Sequence, residues 1–504
     1  MKQLRDLLLK TKTVSVVGNP DVSVSDITSD SREVKPGSLF ICLTGAHVDG
    51  HDFVGTAAEK GASVIVAQKE ISVPADVTVV YVEDTRRAME DITPFFFDDP
   101  SRKMRMVAVT GTNGKTTFTH IMSHIFESCG YKTGVIGTIH TLIGNREFAA
   151  HNTTPDVVDL ERTLSMMVEA GVEYCCMEVS SHALSMGRVA GVEFDNASFT
   201  NLTEDHLDYH KTMDNYAKAK ALLFQSVSAP GQSKGNKSCH INVDADYADV
   251  MLAASKGGAA EVTTYSIEAP SDLRATHISF NSSSSDFVLE TKDGNYDVHT
   301  NLVGRFNVYN VLTAISASLA EGIPMERILR ALADFHSVPG RFELIDEGQD
   351  FTVVVDYAHT PDGLENILKT AQEIKRGRIL AVFGCGGDRD KLKRPIMGKI
   401  GARYADIVIV TSDNPRTENP ETIVSEVAAG VKEIAENKKD FSYEIIVSRR
   451  DAIMRAVTLA EPGDIVMIAG KGHEDYQILA DRTIHFDDRE EARAAIRSKL
   501  HGDI

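Results

Sequence analysis

Residues 106–117 read MVAVTGTNGKTT. A β-branched run flows into a loop rich in glycine and threonine, and a helical pattern follows. Strand, flexible loop and helix in that order make a cradle for phosphate. The glycines let backbone N–H groups curl round phosphate oxygens. The N-terminus of the helix adds partial positive charge. Lys115 supplies a point charge for the β- and γ-phosphates, and a hydroxyl of Thr116 or Thr117 can bind Mg²⁺. The expected nucleotide contacts are therefore Gly111, Thr112, Asn113, Gly114, Lys115, Thr116 and Thr117. A general P-loop carries glycine where this chain has Val109, so the loop departs from that pattern by one residue. No guanine-reading motif accompanies it, which favours ATP over GTP.

The same grammar recurs on either side of the loop. Expected strands are Met104–Val109, Gly134–Ile139, Tyr174–Val179 and Ala197–Thr200, then Thr352–Val355, Ile379–Phe383, Ile407–Val410 and Ile465–Ile468. Polar motifs sit just after these strands, where ligands bind in open α/β sheets. Boundaries fall near Asp98-Asp99-Pro100-Ser101 and Ser337-Val338-Pro339-Gly340, which predicts three α/β domains over 1–99, 100–338 and 339–504. The segments Gly231–Lys237 and Asn281–Asp286 read as surface turns.

With 504 residues, 53 basic against 73 acidic and a net charge of −20, the chain lacks the basic footprint of a nucleic-acid binder. Anionic ligands must be held by local cations and backbone N–H groups. The three-leucine run at the start is too short for a signal segment, and no later stretch is long enough for a membrane helix. The six cysteines show neither CxxC pairs nor metal-ligand spacing, so free thiols and a cytoplasmic location are expected.

Glu178 ends an apolar strand and is a plausible Mg²⁺ ligand near the loop. His206, in NLTEDHLDYH, is a second candidate. In the helix Asn215–Phe224, the 100° period puts Tyr216, Ala217, Lys220, Leu223 and Phe224 on one face and Lys218 on the other. Lys220 is thus a cation on an apolar stripe, either snorkelling or desolvated and neutral.

The loop TGTNGKTT, with MEVSSHAL, NLTEDHLDYH and YAKAKALLF, resembles the Mur ligases, and the loop also resembles the related folylpolyglutamate synthetases. The resemblance implies a uridine-binding N-terminal domain, a P-loop-type central domain and a Rossmann-like C-terminal domain. It implies that Lys220 is N-carbamylated and that Thr117, Glu178, His206 and Lys220 hold Mg²⁺, with Lys115, Glu178, His206 and Lys220 serving catalysis. Asn310 of GRFNVYN is expected near adenine, Arg341 of PGRFE near the phosphates and Asp356 of VVDYAHTPD near the ribose.

The N-terminal segments ITSDSREVKPGSLF and TGAHVDGHDF resemble the subgroup that adds the third residue of the peptidoglycan stem. Ser31 and His47 are expected at the uridine diphosphate, and Asn152, Thr153, Thr154, Ser180 and Arg188 at the sugar or peptide. The expected substrates are UDP-N-acetylmuramoyl-L-Ala-D-Glu and an amino acid, handled by a monomer.

Three C-terminal loops supply charges suited to a zwitterion: GCGGDRD with Arg389, DNPR with Asp413, Asn414, Pro415 and Arg416, and GKGHE with Gly470 and Glu474. Guanidinium reads carboxylate, and carboxylate reads ammonium. A second carboxylate on the amino acid would explain Arg416, and DNPR resembles the form that selects meso-diaminopimelate. Lysine as the added residue is disfavoured by DNPR, and a folylpolyglutamate-type ligase by the SDSR block and DNPR together. A nucleotide-binding regulator without ligase chemistry is disfavoured because Glu178, His206 and Lys220 are all present.

Overall fold

Three separate α/β sheets follow one another along the chain, in a computed structural model that describes residues 1–45, 48–150 and 152–502. The first has the strand order Thr13–Val17, Thr78–Val82, Val64–Ala67, Ser38–Ile41, Asp26–Thr28. All neighbours are parallel except the Thr13–Val17 edge.

The central sheet has eleven strands. Its heart is parallel and runs Thr133–Ile136, Tyr174–Glu178, Arg105–Thr110, Asn196–Phe199, Ser238–Asn242, Glu261–Ser266. Along Arg105–Thr110, Val107 and Val109 join one apolar cluster, while Met106 and Ala108 join another. That alternation is the period of two of a strand buried on both faces. Phe118, Ile121 and Ile125 of helix Lys115–Ser128 cover the first face, with Val308 and Leu312 of helix Arg305–Ala320. Tyr216, Leu223 and Phe224 of helix Met213–Ser228 cover the second. Connections from Arg105–Thr110 lead away on both sides, so the crevice at its carboxyl end is a topological switch point.

The third sheet runs Glu343–Leu344, Thr352–Asp356, Ile465–Ala469, Ile379–Phe383, Ile407–Val410, Ser442–Ile445, parallel but for its first strand. The eight expected strands are present; Ile379–Phe383 and Ile407–Val410 match at both ends, and no end of the others is shifted by more than three residues.

Two features differ from the sequence reading. Antiparallel strands Leu273–Phe280, Ser285–Thr291 and Gly294–Thr300 extend the central sheet. Each buries only alternate residues, so none has the continuous apolar run of the parallel strands. The segment 231–237 is also more than a surface turn. Lys234 donates to the carbonyls of Ser101 and Met104 at 2.8 and 3.0 Å and pairs with buried Asp195. Lys237 lies 3.6 Å from Glu193. Buried carboxylates need cations, and these lysines supply them.

Candidate active site

The loop after Arg105–Thr110 is held open by its neighbours. Thr112 N–H donates to Asn201 O and Asn113 N–H to Asn201 Oδ1, both at 2.9 Å. Thr200 Oγ1 donates to Asn113 O at 2.6 Å. A Cβ on Gly114 would sit 2.2 Å from Asn310 Oδ1, and its φ is +87°. Only glycine fits there, and Asn310 lies against the loop. Lys115 folds back to donate to Gly111 O and Thr112 O, each at 2.9 Å. Arg341 donates to Thr116 Oγ1 at 3.2 Å, so the third domain reaches helix Lys115–Ser128. Asp356 is buried, with its oxygens accepting from the N–H groups of Phe342 and Ala358 at 2.6 and 2.7 Å. In this arrangement its carboxylate shapes the Arg341 turn.

Helix Met213–Ser228 carries Lys220 inward at 1% exposure and Lys218 outward, as the helical period requires. Lys220 Nζ donates to Gly111 O at 2.8 Å and stands 4.6 Å above the Tyr216 ring. Burial holds its ammonium well below the ordinary lysine value, and Lys115 pushes the same way. Burial also lowers Lys115, opposed by the charges of Glu178 and Asp205. Glu178 is buried at its strand end, accepting from Thr138 N–H at 2.9 Å and Thr138 Oγ1 at 3.1 Å. His206 adopts φ +55° at the head of a short helix, its ring centroid 4.8 Å from that of His182. Burial lowers its pKa against the pull of Asp205, and His182, Lys115 and Lys220 lower it further. A neutral imidazole is the form that ligates metal. Thr117 is buried on the same helix as Lys115. Among the described residues, no three His, Cys, Asp or Glu side chains form a ready metal cluster.

On the side facing the first domain, Thr154 is fully buried and Thr153 and Asn152 are progressively more open. Thr154 Oγ1 donates to Glu178 O at 2.9 Å and accepts from Ser180 N–H at 3.0 Å. Ser180 caps the helix Ser181–Ser185, accepting from Ala183 N–H at 3.2 Å. Arg188 donates to Thr154 O at 3.1 Å. Thr153 Oγ1 is 3.0 Å from Thr138 Oγ1, which ties the group to Glu178. Ser31 is half-buried in the turn beyond Asp26–Thr28. That strand is fixed to the central domain by Arg162, which donates to Asp26 and to Ile27 O at 3.0 and 2.9 Å. His47 lies outside the described residues.

The three C-terminal loops converge at the carboxyl ends of adjacent strands. Asn414 is buried. Its Nδ2 donates to Glu474 Oε2 at 2.9 Å, and its Oδ1 accepts from Ile478 N–H at 2.9 Å. Arg416, at φ +52°, donates to Gly387 O at 2.8 Å, which joins DNPR to GCGGDRD. Arg389 is exposed, and its one hydrogen bond among the described residues goes to Asp388 O at 3.3 Å. Asp413 is buried and Oδ1 has no hydrogen-bond partner among the described residues. Pro415 is buried, and its carbonyl would lie 1.9 Å from a Cβ on Gly387. Gly470 takes φ +126° and donates to Asp356 O at 3.0 Å.

Sequence reasoning missed four residues here. Lys471, fully buried, donates to Glu474 Oε2 at 3.0 Å and Asn414 Oδ1 at 3.3 Å. Arg449 and Asp488 form a buried bidentate pair at 2.7 and 2.6 Å, and Arg449 also donates to Ala469 O and Ser412 O, behind two of the loops. Thr138 holds Glu178. Only Lys471, next to an expected contact within GKGHE, carried a local signal.

Family models match three stretches of the chain. The Mur ligase family catalytic domain matches residues 23–96, the Mur ligase middle domain 109–318, and the Mur ligase glutamate ligase domain 340–472. The UDP-N-acetylmuramoyl-L-alanyl-D-glutamate–2,6-diaminopimelate ligase of Bacillus cereus is 46% identical over 488 residues, covering 97% of each chain. Its namesake in Geobacillus kaustophilus is 48% identical over 485 residues, covering 96% of each. A solved structure with the same name is 32% identical, covers 99% of each chain and superposes with a TM-score of 0.72.

Proposed function

This chain belongs to the Mur ligase family, and on that premise we propose that it adds meso-diaminopimelate to UDP-N-acetylmuramoyl-L-alanyl-D-glutamate with cleavage of ATP, in peptidoglycan precursor synthesis. The observation that carries the reading is the convergence of the C-terminal loops. Arg416, Asn414 and Glu474 are interlocked beside Arg389, a set of charges suited to an amino acid with two carboxylates and two ammonium groups. L-Lysine lacks the carboxylate that would occupy Arg416.

In this reading residues 1–99 hold the UDP-sugar through Ser31 and His47, residues 100–338 hold ATP and carry the chemistry, and residues 339–504 hold the amino acid. The chain works as a cytoplasmic monomer. No helix among the described residues is long and apolar enough to cross a membrane.

The substrate carboxylate takes the γ-phosphoryl group of ATP and becomes an acyl phosphate. The amine then displaces phosphate, leaving an amide. Two anions must meet in the first step. Lys115 and the loop N–H groups offset that repulsion, with Arg341 beside Thr116 adding a guanidinium. Asn310 flanks the loop at adenine, and Asp356 fixes the Arg341 turn near the ribose. Asn152, Thr153, Thr154, Ser180 and Arg188 position the muramoyl peptide.

The donor chemistry fits Mg²⁺. Hard oxygens of Glu178 and Thr117 and the neutral imidazole of His206 lie in the region of Lys115 and Lys220. Lys220 adds a ligand oxygen once carbamylated, and its depressed pKa supplies the free amine that such a modification needs. A divalent cation held by Glu178, Thr117, His206 and carbamylated Lys220 would supply charge neutralisation to the phosphoryl group.

The test is phosphate release from ATP in the presence of the UDP-dipeptide, with meso-diaminopimelate or L-lysine added in parallel. Release with diaminopimelate alone supports the reading. Release with lysine alone keeps the ligase and overturns the role of Arg416, and release with neither overturns the muramoyl assignment.

A further inference from the structure

His359 occupies the connection between strand Thr352–Asp356 and helix Pro361–Ile374, where the second and third domains meet. Three residues later, Asp362 accepts from Asn113 Nδ2 of the phosphate loop at 2.9 Å and from Thr203 Oγ1 at 3.0 Å. The connection is therefore pinned to the phosphate loop at one end. At the other it leaves the sheet whose strand ends carry the amino-acid loops. His359 is open to solvent, yet the surrounding protein lowers its pKa through burial.

The ring's orientation is fixed. Nδ1 lies 2.9 Å from Tyr357 O, and the ring packs 4.7 Å from that of Tyr357. A carbonyl oxygen only accepts, so Nδ1 carries the proton in the neutral ring and Nε2 presents its lone pair. The charged groups facing it are Lys393, which donates to His359 O at 2.8 Å, and the carboxylates of Asp205 and Asp413. Asp205 is also a charge neighbour of Lys115, Lys220 and His206, and Asp413 belongs to the amino-acid loops. The imidazole thus sits on a connection tied to the Asn113 loop through Asp362, it feels charges from both the Asp205 and the Asp413 segments, and its Nε2 makes no hydrogen bond among the described residues.

We propose that His359 Nε2 is the base that takes the proton from the attacking amine; this rests on the ligase reading above. The neutral amine attacks the acyl phosphate carbonyl. The N–C bond forms, the C–O bond to phosphate breaks, and the bonding pair leaves with phosphate. The surplus proton on nitrogen passes to Nε2, and the imidazolium returns it to solvent. Nδ1–H on Tyr357 O steadies the ring throughout.

The experiment compares the wild-type chain with His359→Ala and His359→Gln, using two nucleophiles. One is meso-diaminopimelate. The other is hydroxylamine, which is neutral near pH 7 and traps acyl phosphate as hydroxamate without help from a base. Both variants are expected to lose amide formation by ~10²–10⁴-fold, the usual contribution of a positioned base, while hydroxamate still forms at a rate comparable with wild type. Added imidazole is expected to restore part of the amide formation in His359→Ala. Hydroxamate formation lost in parallel with amide formation would overturn the assignment, because His359 would then serve the phosphoryl step or the fold. Amide formation within a few-fold of wild type would overturn it as well. A wild-type chain that makes neither product overturns the ligase reading itself, and that outcome is distinct from the other two.

Discussion

Replacing Asp488 by alanine should loosen the third domain from behind the amino-acid loops. Asp488 and Arg449 are 0% and 2% exposed, and their two hydrogen bonds measure 2.7 and 2.6 Å. Removing one partner of such a pair costs about 3–5 kcal/mol, because the surviving charge stays buried. Arg449 keeps its bonds to Ala469 O at 3.0 Å and Ser412 O at 3.4 Å, so the lower end, about 3 kcal/mol, is expected. The chain has no tryptophan and folds as several units, so one spectroscopic transition would mix them. Amide hydrogen exchange along Ile465–Ala469 isolates the affected sheet. About 3 kcal/mol corresponds to exchange faster by ~10²-fold at these amides. The double variant Arg449→Met/Asp488→Leu removes both charges and should recover most of that protection. Exchange in Asp488→Ala within about threefold of wild type, ~0.7 kcal/mol, would refute the view that this pair holds the two loops.

Four further outcomes are expected. Lys220→Ala should lose phosphate release, and short-chain carboxylic acids should restore part of it if a carbamate stands on Lys220; failure of every acid tested would count against the carbamate. Asp362→Ala removes the acceptor of Asn113 and Thr203, and should raise the KM for ATP by ~5–30-fold, from about 1–2 kcal/mol of lost hydrogen bonding, as steady-state kinetics would read. Arg416→Ala should weaken selection of diaminopimelate over lysine, measured as the ratio of kcat/KM values; an unchanged ratio would remove Arg416 from specificity. His240, fully buried on Ser316 Oγ at 2.6 Å and Asn196 Nδ2 at 3.0 Å, has its pKa lowered from 6.5 to about 3 by burial. Its folded pKa lies below the unfolded one, so its contribution is complete above pH 6.5. The contribution falls by about 1.4 kcal/mol per unit as pH drops toward 3. Amide hydrogen exchange along Ser238–Asn242, compared at pH 7 and pH 5 after correction for intrinsic rates, should show a shallower pH dependence in His240→Gln.

The glycine loop between Arg105–Thr110 and Lys115–Ser128 and the parallel strands were legible because both are local. A strand buried on both faces is a continuous apolar run, and a loop that admits phosphate needs glycines at fixed spacing. Lys220 was legible because the helical period alone separates it from Lys218. The antiparallel wing beyond residue 273 was not, since its strands bury alternate residues and its polar faces dilute the signal. Arg449 and Asp488 were invisible for another reason. They are 39 residues apart on different helices, and only the closed sheet brings them together. His359 was in view within DYAHTPD, yet its role depends on Tyr357 O fixing one ring nitrogen, which no residue spacing reveals.

A competition between the two amino acids reads the specificity of the chain most directly. The chain is given ATP, UDP-N-acetylmuramoyl-L-Ala-D-Glu and equal concentrations of meso-diaminopimelate and L-lysine, and the muramoyl product is weighed by mass spectrometry. A product carrying diaminopimelate almost exclusively is expected. A product carrying lysine, or an unchanged dipeptide with ATP intact, would contradict it.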